Sequence, residues 1–216
     1  MNVVMGCRPW NKAVFEECKP ATDWMFVDSL GQIPATAKRI FFVNWLERVP
    51  EHIWREIECI AFHASPLPFG RGASPIQHQI LAGLESTHLS AFRMCEKMDA
   101  GGVYLQEPLS LLGSAEEIYL RAARLAMQMA GRIARYSLVP RPQDELRVTT
   151  LRRRKPSESL LPPELGLART YDFIRMLDCE GFPPAFIVYG KLRIEFTRAA
   201  LRHDRIEATV TIREIV

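Results

Sequence analysis

A histidine that closes an apolar run and opens a loop rich in proline and glycine is the strongest chemical feature of this sequence. The run is IECIAF (57–62), the histidine is His63, and the loop that follows carries Pro66, Pro68, Gly70, Gly72 and Pro75. Imidazole moves protons near neutral pH, which makes His63 a candidate general acid–base. Proline fixes its own backbone and glycine takes conformations other residues resist, so the loop is expected to hold one shape. Asp99, between RMCEKM and AGG, falls at a second strand end before a glycine turn. A carboxylate beside an imidazole orients it and stabilises its charged form, the pairing that acid–base catalysis needs. A rigid surface turn with a satisfied histidine is the alternative that position and composition leave open.

Other reactive types are weighed against this pair. GCRPWNK (6–12) follows the first apolar run and offers Arg8, Trp10, Asn11 and Lys12 for charge, stacking and amide contacts. Asn44 ends FFVN, and His78 lies one turn past the rigid loop. His52, His88 and His203 read as solvated. Five scattered cysteines, an odd number with no C-x-x-C pair, suggest neither disulfides nor a zinc site, and Cys7 has no histidine partner recognisable from sequence. A net charge of +3 is too small to announce a nucleic-acid binder. The locally basic stretch 132–155 reads as a solvated, flexible connection or as a rim that attracts a phosphorylated small molecule. No run approaches the roughly 20 apolar residues of a membrane span, and no signal core opens the chain, so a soluble, cytoplasmic protein is expected.

The elements that must position these residues follow a β-α-β rhythm over 1–135, the mark of an α/β, Rossmann-like, mostly parallel sheet. Strands are expected near NVVMG, WMFV, RIFFVN and IECIAF. The last two are continuously apolar and therefore central. Helices are expected at 11–18, at 50–57, at 75–83 with Ser74 as cap, and at 114–135, where Ser114 and Glu117 have capping-box spacing. HLSAFRM and GVYLQEPLSL read as strands joined by DAGG. Residues 136–170, with five prolines, read as a linker. Residues 171–216 read as a small α+β appendage, a helix followed by antiparallel strands whose unpaired edges admit a homodimer.

FHASPLPFGRGASPIQHQIL, followed at interval by MDAGGVYLQEPLSL, resembles the folate-dependent formyltransferases, whose motifs run roughly N-x-H-x-S-L-L-P, R-G, P and D-x-G with a later glutamine. The match covers about 58–130. RRRKPSESLLPPELGLARTYDFIRMLDCEGFPPAFIVYGKLRIEFTRA is similar to the segment that follows the core in sugar N-formyltransferases.

The resemblance implies formyl transfer from 10-formyltetrahydrofolate to the amine of an amino sugar, nucleotide-linked, in polysaccharide synthesis, with tetrahydrofolate released and neither nucleic acid nor membrane as partner. It assigns catalysis to His63 and Asp99, and a folate-facing loop to Ser65, Leu67 and Arg71. Arg8, Trp10, Asn11, Lys12 and His78 become candidate contacts to the sugar-nucleotide. The family's asparagine, two residues before the histidine, is Ala61 here. Its amide donor must then come from Asn44, from Gln77 or from water. Otherwise the protein binds without turnover, and a formyltetrahydrofolate hydrolase is a further alternative.

Overall fold

The computed structural model describes residues 1–18 and 23–215. In chain order the elements are β1 (Asn2–Met5), α1 (Asn11–Cys18), β2 (Trp24–Val27), β3 (Arg39–Phe42), α2 (Glu51–Glu56), β4 (Glu58–His63), β5 (Arg71–Gly72), α3 (Pro75–Leu81), β6 (Ser86–Arg93), β7 (Val103–Ser110) and α4 (Ala115–Tyr136). β8 (Thr150–Leu151), α5 (Leu167–Arg175), β9 (Ala185–Tyr189), β10 (Leu192–Leu201) and β11 (Ile206–Glu214) complete the chain.

The main sheet runs β2-β1-β3-β4-β6-β7. Its first four strands are parallel, and β6 and β7 add an antiparallel hairpin. β3 and β4 lie in the middle, as their unbroken apolar character requires. Successive side chains on a strand point to opposite faces, so the sheet feeds two cores. Val4, Phe41 and Ile60 pack with α1, α3, α4 and α5, while Val3, Met5, Ile40, Phe42 and Cys59 pack with Ile53 of α2. Full burial of one such side chain contributes about 1.5–3 kcal/mol. Helix α4 begins with a reciprocal capping box between Ser114 and Glu117 and buries Ile118, Ala122, Met127, Met129 and Ile133, which makes the methionines core residues.

Three sequence expectations are corrected. Ser74 does not cap α3: it sits at φ +56°, makes no capping hydrogen bond, and its hydroxyl accepts from Arg154 N at 3.3 Å. The proline-rich stretch 136–170 is not loose chain. Val103 and Arg141 exchange backbone hydrogen bonds at 2.8 Å, and β8 pairs in parallel with β5 inside the rigid loop. The segment therefore crosses the sheet's edge as a strap. The basic run inside it is partly neutralised, since Arg152 meets Glu158 at 2.5 Å.

The tail packs onto the core at defined points. Buried Arg175 donates to Leu111 O at 2.6 Å and Gly113 O at 2.9 Å, Gln77 Nε2 donates to Met176 O at 3.2 Å, and Arg8 Nη1 reaches Glu180 O at 3.0 Å. Beyond α5 the chain forms the antiparallel sheet β11-β10-β9.

Candidate active site

His63 is the last residue of β4, a central strand, and its side chain is 9% exposed. Its Nε2 lies 2.7 Å from the carbonyl oxygen of Gly70. A carbonyl only accepts, so that nitrogen carries a proton, and in the neutral ring the free lone pair belongs to Nδ1. Nδ1 stands 3.7 Å from Asp99 Oδ2. That separation is longer than a hydrogen bond and short enough for charge–charge attraction. Positions 63 and 99 thus converge. The Asp99 oxygen also accepts from Gly72 N at 2.8 Å, and Asp99 itself is held at φ +53°.

The loop between them is fixed from several sides. Ser65 is fully buried, and its hydroxyl donates to Phe69 O at 2.6 Å. Ser90, opposite His63 in the β4–β6 register, donates to Ser65 O at 2.6 Å and accepts from Leu67 N at 3.2 Å. Gln106 of β7 donates to Leu67 O at 2.9 Å, and Gln79 of α3 donates to Ala64 O at 2.6 Å. The strap closes the last side, with Gly70 N donating to Thr149 Oγ1 at 2.8 Å and Arg71 N to Thr149 O at 3.0 Å. At Gly72, φ +113°, a β-carbon would lie 2.2 Å from Leu151 O, so glycine permits this approach.

The predicted folate-facing residues shape this loop. Leu67 is buried, and Ser65 is committed to the loop's own carbonyls. Arg71, 3% exposed, is held by Gln143 at 3.0 Å and Glu145 at 2.7 Å. Hydrogen bonds from Arg71 and Lys97 hold the Glu145 carboxyl at about 2, against its ordinary 4.5. The Arg71 charge is therefore already paired.

Asn44 lies two residues beyond the last β3–β4 register pair, Phe42 with Ala61, so its strand is the immediate neighbour of the one that carries His63. It takes φ +52°. Its Oδ1 accepts from Asn11 Nδ2 at 3.1 Å, while Asn11 Oδ1 accepts from Arg8 N at 2.8 Å. Asn11, 3% exposed, is thus a buried bracket for Asn44 rather than a surface contact. Gln77, the other amide considered, is 2% exposed and donates to Met176 O.

The remaining predicted substrate contacts separate. The Arg8 guanidinium stacks 4.9 Å from the Phe182 ring and 5.9 Å from that of Trp10 while bonding Glu180, so it links the first loop to the tail. Trp10 packs against the core. Lys12 is exposed and lines a groove of about 360 Å3 between α1 and β2. His78 Nε2 is 2.9 Å from Arg152 O, a strap contact. A second groove, of about 510 Å3, follows α4 beside Pro108 and Arg121. Neither groove is lined by His63 or Asp99.

Sequence reasoning did not find the Gly70 carbonyl, Ser90, Gln143 or Thr149. Their side-chain partners are as far as 79 residues away in the chain, and no periodicity marks them. Only Gln106 had a signal, as the glutamine beyond the D-x-G motif.

The chain as a whole is similar to known proteins in sequence and in fold. Residues 156–213 match the family described as methionyl-tRNA formyltransferase, C-terminal domain. A solved structure, methionyl-tRNA formyltransferase from Clostridium thermocellum, is 34% identical, with a TM-score of 0.92 over 99% of each chain. Methionyl-tRNA formyltransferase of Thermobifida fusca (strain YX) is 28% identical over 197 residues, which is 85% of this chain and 61% of the relative. That of Anaplasma marginale (strain St. Maries) is 39% identical over 90 residues, 42% of this chain and 28% of the relative. The chain thus spans less than two thirds of these curated relatives. It belongs to the formyltransferase family. The tail segment expected to be like that of the sugar enzymes overlaps the part matched by the methionyl-tRNA family.

Proposed function

We propose that the protein is an enzyme that transfers a formyl group from 10-formyltetrahydrofolate to a primary amine, with His63 and Asp99 at the reacting centre. The observation that carries this reading is the 3.7 Å approach of His63 Nδ1 to Asp99 Oδ2 at the carboxyl end of a central strand, where open α/β sheets place ligands. The formyl donor supplies an electrophilic carbon and a leaving amine. His63, with its Nε2 proton committed to Gly70, takes the attacking amine's proton at Nδ1 and gives it to the departing nitrogen of tetrahydrofolate as the donor's carbon–nitrogen bond breaks, and Asp99 stabilises the imidazolium between the two transfers. Asn44, whose oxygen is committed to Asn11, keeps its Nδ2 donors for the developing oxyanion and supplies the amide that Ala61 lacks. Ser65, Leu67 and Arg71 act on the donor through the shape of the loop. This donor set fits formyl transfer.

For the acceptor, the α-amine of methionyl-tRNA is favoured by the name of the 34%-identical relative and of the family matched by 156–213. A second reading, a nucleotide-linked amino sugar, is favoured by the resemblance of the segment from Arg152 to Ala199 to the one that follows the core in sugar N-formyltransferases. Parallel incubations of donor and protein with methionyl-tRNA and with nucleotide-linked amino sugars separate the two. N-formylated product in one arm assigns the acceptor, folate release without either acceptor gives the hydrolase, and no turnover in any arm contradicts the enzyme reading.

A further inference from the structure

The strap that was expected to be a linker holds both members of the reacting pair. Gln143 Nε2 donates to Asp99 O at 2.8 Å and to Gly101 O at 2.7 Å, while its Oε1 accepts from Arg71 Nε at 3.0 Å. The amide has one workable orientation, because a flip would set its oxygen against two carbonyls and its nitrogen against a guanidinium. Its donors close the turn in which Asp99 keeps its left-handed backbone. Six residues on, Thr149 Oγ1 accepts from Gly70 N at 2.8 Å, and the carbonyl of the same Gly70 receives His63 Nε2 at 2.7 Å. The Gly70 amide and carbonyl thus connect the strap to the imidazole, as the Asp99 turn connects it to the carboxylate. Arg71, buried and ion-paired to Glu145, keeps the two attachments in register.

From these contacts we infer that Gln143 and Thr149 are positioning residues for the reaction: Gln143 sets the Asp99 carboxylate, and Thr149 sets the Gly70 carbonyl that aims His63. The inference rests on the formyl-transfer reading for its kinetic consequence. Neither side chain touches the reacting groups. Gln143 acts through the backbone of the Asp99 turn, and Thr149 through the Gly70 residue whose carbonyl meets His63.

Two isosteric substitutions separate positioning from packing. Gln143→Glu keeps the size and the Arg71 partner and loses both donors. Thr149→Val keeps the size and loses the acceptor, whereas Thr149→Ser retains it. Displacement of a reacting group by about 1 Å costs up to about 100-fold, so kcat for Gln143→Glu and Thr149→Val is expected to fall about 10- to 100-fold. KM for 10-formyltetrahydrofolate and the melting temperature should hold, and Thr149→Ser should run at the wild-type rate. Unchanged kcat in Gln143→Glu and Thr149→Val, or losses that merely follow the folded fraction, would overturn the inference. If the wild type transfers formyl to no acceptor, the functional reading fails, and the positioning claim is read instead from the imidazole nitrogen-15 spectrum. A single Nε2-protonated tautomer in wild type and Thr149→Ser that becomes mixed in Thr149→Val supports it, and one tautomer throughout overturns it.

Discussion

Asn11 donates its side-chain amide to Asn44 Oδ1 at 3.1 Å, and because Asn11 Oδ1 accepts from Arg8 N at 2.8 Å, neither amide is free to flip. The first residue of α1 thereby orients a polar group just beyond the end of β3. Asn11 is buried, which anchors the bracket in the core, while Asn44 is half-buried.

Asn44→Ala should lower single-turnover formyl transfer by about 100- to 1,000-fold, the usual effect of losing one oxyanion donor. Ala61→Asn placed in that background returns an amide to the strand that bears His63 and should recover part of the loss. Rapid-quench measurement of formylated product checks both. An unchanged rate in Asn44→Ala removes Asn44 from the mechanism.

Backbone crowding predicts two intolerant glycines. A β-carbon at Gly101 would lie 1.8 Å from Arg93 O, and one at Gly72 would lie 2.2 Å from Leu151 O. Either alanine substitution forces the Asp99 turn or the strap to move, and each should destabilise the fold by about 2–4 kcal/mol in urea titrations. Gly31→Ala, with open space around the new methyl, serves as the control.

The Glu145 carboxyl gives the strap a defined acid response. Arg71 and Lys97 depress it to about 2 from 4.5, so the stabilisation it provides is complete above 4.5 and fades as pH falls toward 2. Glu145→Gln should therefore be less stable than wild type at pH 6, with the difference closing by pH 2. A pH-independent difference in denaturation midpoints would contradict this assignment.

Thiol reactivity should follow burial. Burial raises the Cys59 and Cys179 thiols to about 12, whereas Cys7 and Cys95 are exposed. Brief alkylation of the native protein, read by peptide mass, should label Cys7 and Cys95 and spare Cys59 and Cys179 until denaturant is added.

The parts of the fold written in local pattern were legible. Continuous apolar runs placed β3 and β4 at the centre, and Ser114 and Glu117 marked the start of α4. His63 was legible because it ends an apolar strand, whereas Asp99, expected at a strand end, lies in the turn between β6 and β7, six residues past Arg93, where the following glycines were its only local mark. The strap was not, because composition alone makes a proline-rich polar stretch look like a tether. Its order comes from contacts such as Arg71 with Glu145, 74 residues apart, and Gly70 with Thr149, 79 residues apart. Arg8 misled for a related reason: a surface cation beside a tryptophan reads as a ligand contact until Glu180 and Phe182 are seen to occupy it.

Single-turnover transfer from 10-formyltetrahydrofolate by His63→Asn and Asp99→Asn, measured beside wild type with both classes of amine, tests the reacting pair most directly. The account predicts rates lower by about 100- to 10,000-fold in each variant, with folding intact by circular dichroism. Wild-type rates in either variant would contradict it.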